Sequence, residues 1–333
     1  MRTIILLSAF EFFAVGLAQT QYTSTAAAAV AKARATALTE SPTSNVAGKT
    51  FHRFVAIWCE NTDYSMAAGD TNFKWAASKG VTLTNYLAIR HPSQPNYVAA
   101  VGGSTHGFTE DTFQRIDSSA KTIVDLLEAK GVSWSEYEQD SPYSGFEGNY
   151  VNQESGANDF VRKHKWPTHK LRLRNKQHKP SSKDQKLHHV RERLIRQQTP
   201  SMDVHNAQHD ERRHDTSVTT AGKWIKSFLS PLLSNSNFMN NTLVLLIKIP
   251  TIIISYPLNP FIILHLRKPF DETAIQSGVN RVFSVLLGDA IPASSQGTTD
   301  GTAYSHYSQM ATVEKNWGLG DLGLGDASAA AFF

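Results

Sequence analysis

A chain of 333 residues, 41% hydrophobic and 19% charged, has room for one large domain or two small ones and the apolar content of a soluble globular protein. The formal net charge of +4 does not mark a nucleic-acid binder: residues 162–196 hold 13 Lys and Arg against Asp184 and Glu192, and outside that window 20 basic residues face 27 acidic ones. A single cysteine, Cys59, excludes an intrachain disulfide.

The N-terminus reads as a secretory signal over residues 1–18. Arg2 supplies positive charge, residues 4–17 are mostly apolar, and Gly16-Leu17-Ala18 makes a small-x-small cleavage site. That run is too short to span a bilayer comfortably, so no stable membrane anchor is expected. Residues 19–50, rich in Ala, Thr and Ser, read as a flexible lead-in. The sequon Asn240-Asn241-Thr242 accords with a secreted glycoprotein.

From residue 51 the punctuation becomes regular. Residues 54–58 form an apolar run suited to a buried strand, which makes Cys59 a buried thiol, and the run ends in Glu60-Asn61-Thr62-Asp63. Residues 73–79 predict a short helix stopped by Gly80, and residues 81–86 alternate as a strand. Residues 120–130 have helical periodicity closed by Gly131, and 132–137 read as a further strand. Farther on, 221–233 predict an amphipathic helix with Trp224, Ile225, Phe228 and Leu232 on one side, and 242–247 and 282–287 predict strands. This alternation predicts an α/β fold with a mostly parallel sheet, whose sites collect at the carboxyl ends of its strands.

The segment Arg90-His91-Pro92-Ser93-Gln94-Pro95-Asn96-Tyr97 puts a serine ahead of a short apolar helix that opens with a proline. Two readings stand side by side. Ser93 is an N-cap, or it uses the positive helix end to support an alkoxide and a bound phosphate. The polar clusters Glu60/Asn61/Asp63, His91/Ser93/Asn96, His214/Asp215 and Asp271/Glu272 all stand beside predicted element ends. Carboxylates, an amide and a histidine suit a hard or borderline divalent cation.

Two stretches break the pattern. Residues 165–213 are dominated by His, Lys, Arg and Gln without convincing periodicity and read as out-of-frame translation. Residues 248–268 are apolar but carry Pro250, Pro257 and Pro260, which disfavours a membrane helix; they read as a translated intron.

The ordered motifs resemble those of the fungal secreted acid phosphatases, in the phosphoesterase family that also includes bacterial phospholipases C. The resemblance runs through Phe54-Val55-Ala56-Ile57-Trp58-Cys59-Glu60-Asn61-Thr62-Asp63-Tyr64, His91-Pro92-Ser93-Gln94-Pro95-Asn96-Tyr97 and Gly145-Phe146-Glu147-Gly148. It continues in His214-Asp215-Thr216-Ser217-Val218, Phe270-Asp271-Glu272 and the stretch from His306 to Leu319. It implies one domain over 51–325, interrupted at 165–213 and 248–268, with an alkaline-phosphatase-like sheet flanked by helices. It also implies a divalent metal ion held by Glu60, Asn61, Ser93, Asp271 and Glu272, with Ser93 as nucleophile and Asn61 and His214 assisting. Asn96 either joins the site or pins the helix. The implied activity is hydrolysis of small phosphate monoesters. A phosphodiesterase or phospholipase C, an impaired product of the two atypical segments and a polyanion binder are the alternatives. Arg212 stands where the family carries an Asp, and Thr273 where it carries an Asn.

Overall fold

The structure, a computed structural model, describes residues 25–36, 44–59, 63–91, 93–110, 116–117, 119–138, 184–186, 217–248, 252–253, 261–266 and 280–333. In chain order these form α1 (Ala27–Thr36), β1 (Arg53–Cys59), α2 (Tyr64–Gly69), α3 (Thr71–Ala77), β2 (Val81–Leu83), β3 (Tyr86–Leu87), α4 (Gln94–Gly102), α5 (Ile123–Ala129), β4 (Trp134–Glu138) and β5 (Asp184–Lys186). There follow α6 (Val218–Leu233), α7 (Ser236–Met239), β6 (Thr242–Lys248), β7 (Ile252–Ile253), β8 (Phe261–Leu266), β9 (Phe283–Leu287), β10 (Thr299–Asp300), β11 (Tyr304–Ser305), α8 (His306–Trp317) and α9 (Gly325–Ser328).

The main sheet runs in the order β10-β2-β9-β6-β1-β8-β4-β5, with β7 pairing on β8. Strand β1 is parallel to β6 on one side and β8 on the other, and β4 continues parallel beside β8. Strand β9 runs antiparallel between β6 and β2. The sheet is therefore mixed and mostly parallel, as the alternating pattern predicts. A separate parallel pair joins β11 to β3.

Every residue from Phe54 to Cys59 is buried, as a strand covered on both faces requires. The register tells which helices cover which face. Trp58 pairs with Ile247, and Ile247 with Ser284, so those three side chains share one face. Cys59 and Phe283, each one position along from that face, share the other. Trp58 meets Tyr97 of α4 and His306 of α8, with ring centroids 6.0 and 4.6 Å apart. Phe283 meets Tyr64 of α2 and Phe73 of α3, at 6.1 and 5.7 Å. Helices α4 and α8 thus lie on one face and α2 and α3 on the other.

Local chemistry accounts for the differences from the sequence expectations. Helix α3 starts earlier than its apolar periodicity suggests because Asp70 caps it, accepting from the N–H groups of Asn72 (2.8 Å) and Phe73 (3.2 Å). Helix α6 buries Ala221, Gly222, Ile225, Leu229 and Leu232, while Trp224 and Phe228 stack on each other half-buried at its flank. Within the apolar stretch 248–268, to which the sequence pattern assigned no element, β7 and β8 form, and β8 fills the position between β1 and β4. The β-branched pairs Ile252-Ile253 and Ile262-Ile263 suit strands, and Pro257 and Pro260 fall between them.

Gly288 closes β9 with φ +101°, and a Cβ there would lie 2.1 Å from the carbonyl oxygen of Thr242, the first residue of β6. Strain and collision coincide, and the obstacle is backbone in the sheet. Gly288→Ala is expected to lower stability by about 3 kcal/mol or more, read as a fall in the urea midpoint. An unchanged midpoint would show that the β9–β6 junction relaxes freely.

Candidate active site

The chain reaches Ser93 through a loop that one buried amide holds in place. Asn96, 1% exposed, accepts at Oδ1 from the N–H groups of Ile89 and Arg90, both at 2.9 Å. Its Nδ2 donates to the Arg90 carbonyl at 2.8 Å, which also accepts from Asn280 Nδ2 at 2.6 Å. The Ala88 N–H donates in turn to the Asn280 carbonyl at 2.8 Å. Asn96 therefore pins the loop to the helix, one of the two roles left open for it.

Ser93 is buried, at 5% exposure, and its backbone is already helical, with φ −68° and ψ −43°. A capping serine needs an extended backbone to aim its oxygen back at the first free N–H groups. Ser93 accordingly makes no side-chain capping hydrogen bond. Of the two sequence readings, the cap is the one that this geometry disfavours. His91 and Asp63, its companions among the polar clusters, are exposed.

The helix behind Ser93 is tied to the carboxyl end of β1. Tyr97 lies one turn along from Ser93 and packs edge-on against Trp58, the penultimate residue of β1. His306, the first residue of α8, lies against the same indole and is fully buried. Its Nδ1 is 3.1 Å from the Tyr86 hydroxyl, and its Nε2 is buried without a hydrogen-bond partner among the described residues. Burial holds the His306 pKa down at about 3 and raises that of Tyr86 well above its usual range. Both groups are thus neutral from above about pH 3 through the neutral range. Sequence reading had no means to assemble this knot, because Tyr86 and His306 are 220 positions apart.

Of the residues the sequence nominates, Ser93 is the one whose surroundings can be read directly. Glu60, Asn61, His214, Asp271 and Glu272 lie outside the described residues. Cys59 ends β1, Leu266 ends β8, and the two are register partners on adjacent parallel strands, so these two strands end side by side at the carboxyl edge. Among the described residues no group of three His, Cys, Asp or Glu is arranged to hold a metal ion. The nominated donors are carboxylate, amide and hydroxyl oxygens, a set whose chemistry fits a hard divalent cation.

Comparison with known proteins adds independent findings. Residues 41–320 match the model of the Phosphoesterase family. An acid phosphatase of Aspergillus fumigatus is 42% identical over 305 residues, covering 90% of this chain and 62% of its own length. A phosphate-repressible acid phosphatase of Penicillium chrysogenum is 42% identical over 325 residues, covering 95% of this chain and 71% of its own length. The chain thus spans about two thirds of the length of these relatives. Among solved structures, a protein in the alkaline phosphatase superfamily from Vibrio parahaemolyticus superposes with a TM-score of 0.42 at 13% identity, covering 94% of this chain and 81% of that one.

Two expectations follow from this geometry. Asn96→Ala removes three hydrogen bonds and strands two N–H groups, so it is expected to cost about 2–4 kcal/mol in urea unfolding; a loss under about 0.5 kcal/mol would mean that the loop is held by other contacts. The second concerns His306, whose folded pKa lies below its unfolded value of 6.5. Its contribution to stability is present above pH 6.5 and is lost as the pH falls toward about 3. In that window the unfolding constant of the wild type should rise by about tenfold per pH unit relative to His306→Gln. Parallel curves for the two proteins would show that His306 is protonated in the fold.

Proposed function

The chain belongs to the Phosphoesterase family, and on that premise we propose that it is a secreted, metal-dependent acid phosphatase that releases phosphate from small monoesters through Ser93. The observation that carries the reading is that Ser93 heads α4 at the carboxyl edge of the sheet with a hydroxyl not used for capping. The named activity of the fungal relatives supports the substrate class. Secretion is supported by the signal-like residues 1–18 and by the sequon, whose Asn240 is exposed. Among the described residues no helix is long and apolar enough to cross a membrane.

In this reading Ser93 Oγ attacks phosphorus in line, and the bond from phosphorus to the ester oxygen breaks. The departing alcohol carries away the proton equivalent that serine gave up, leaving a phosphoserine. Water then attacks phosphorus, the P–Oγ bond breaks, and inorganic phosphate leaves with serine restored. The N-terminal end of α4 supplies partial positive charge to the phosphate oxygens in both steps. Glu60, Asn61, Asp271 and Glu272 would hold a divalent cation beside Ser93, and His214 would assist at the phosphate. When bound, that ion lowers the pKa of a neighbouring hydroxyl and offsets phosphate charge. Asn96 and Asn280 act earlier in the chain of causes, by fixing the loop from which Ser93 emerges.

The test is hydrolysis of an aryl phosphate at acid pH by the purified protein. Wild type should turn over, and a chelator should abolish that turnover until divalent metal is restored. Ser93→Ala should lose at least about a thousandfold in kcat while keeping its urea midpoint. Retained turnover in Ser93→Ala would remove serine from the mechanism, and faster cleavage of a diester than of a monoester would move the substrate class.

A further inference from the structure

Helix α8 carries a buried carboxyl that no cation among the described residues answers. Glu314 is 4% exposed, and its Oε1 has no hydrogen-bond partner among those residues. Its neighbour is Asp326 of the adjoining helix α9, 2% exposed, whose charge and hydrogen bonding favour the neutral form of Glu314. Asp326 already accepts at Oδ2 from the Leu322 N–H at 2.5 Å and at Oδ1 from the Leu324 N–H at 3.0 Å. Among the described residues no Lys or Arg forms an ion pair with either carboxyl. The other charged or titratable groups nearby are few. Asp321 is exposed on the same loop, and Lys315 is exposed on α8. Tyr307, in the first turn of α8, faces Asp326 and Arg90, and His106 Nε2 lies 3.1 Å from the Gly102 carbonyl.

The pair sits where three elements meet. A Cβ on Gly103, the left-handed C-cap of α4 at φ +66°, would come within 2.6 Å of Asp326 Oδ1, so that carboxylate lies directly on the cap. The Gly325 N–H donates to the Gly103 carbonyl at 2.9 Å. From α8, Gln309 Nε2 donates to the Ala100 carbonyl of α4, also at 2.9 Å. The Leu319 N–H folds the following loop back onto the Glu314 carbonyl at 3.0 Å.

Two adjacent buried carboxyls cannot both ionise without great cost; one proton between them satisfies both. A metal ion is the other way to neutralise such a cluster, but these residues are not arranged to hold one. We propose that Glu314 and Asp326 share a single proton, and that the pair is an acid-dependent clamp that fastens residues 319–326 and α8 to the far end of α4. The clamp releases in alkali. It stands whether or not Ser93 is a nucleophile.

Burial first, then the charge and hydrogen bond of Asp326, push the Glu314 pKa up to about 9 from the ordinary 4.5. A folded pKa above the unfolded one gives stability that is complete below pH 4.5 and is lost as the pH rises toward about 9. The experiment is urea unfolding of the full chain between pH 4.5 and 9, wild type against Glu314→Gln. Glutamine keeps a donor toward Asp326 at every pH. The wild-type unfolding constant should climb by about tenfold per pH unit relative to the variant, with His306 cancelling in the comparison. Parallel curves would overturn the proposal. Should Glu314→Gln not fold, hydrogen exchange in the wild type decides. After correction for intrinsic rates, protection of the Leu322 and Leu324 amides should fall by about tenfold or more between pH 5 and pH 9, relative to amides in the middle of α8. Constant relative protection would refute the clamp.

Discussion

Strand β1 is the constraint on which the rest depends. It is buried on both faces and has a parallel partner along each edge, β6 on one side and β8 on the other. A strand so enclosed has no freedom of register, because a one-residue slip would exchange Trp58 and Cys59 between faces that carry different helices. Trp58 is then the fixed surface against which Tyr97 and His306 are set, and through them α4 and α8. The position of Ser93 follows from an indole in the core, one helical turn away.

The serine loop is built on the same economy. Four residues separate the end of β3 from Pro92, too few to form an element of their own, and their polar backbone must be satisfied near the core. Asn96 and Asn280 do this from two directions, both meeting at the Arg90 carbonyl. Because Asn96 belongs to α4 and Asn280 leads into β9, the loop is referenced to a helix on one face and to the sheet at once. The nucleophilic role proposed for Ser93 would need this kind of fixed approach, since small misplacement at the reacting atom is costly in rate.

Much of the sheet was legible because strands buried on both faces announce themselves as continuous apolar runs, and the runs at 54–58, 242–247 and 282–287 all became strands. The stretch 248–268 was less legible. Its prolines break any single period, yet two β-branched pieces within it add β7 and β8, with β8 inside the sheet between β1 and β4. The site divides in the same manner. The serine could be found locally, from proline and helix punctuation, and its freedom from capping depends on a ψ angle that residue identity does not dictate. Asn280, Tyr86, His306 and the Glu314–Asp326 pair are long-range or tertiary features with no local period, so only the fold could assemble them.

His306 and Glu314 lie on the same helix and titrate in opposite senses. Burial keeps the histidine neutral, so acid works against the fold from pH 6.5 down toward about 3. Burial and a neighbouring carboxylate keep the glutamate neutral, so alkali works against the fold from pH 4.5 up toward about 9. Between pH 4.5 and 6.5 the two slopes are equal and opposite, each worth one proton, and they cancel. Helix α8 thus confers its greatest stability in a mildly acidic window. Helix α8 meets Trp58 through His306 and α4 through Gln309, and farther along Glu314 is coupled to Asp326, which lies on the C-cap of α4. The pH at which the serine helix is best braced is set by two side chains that carry no charge there.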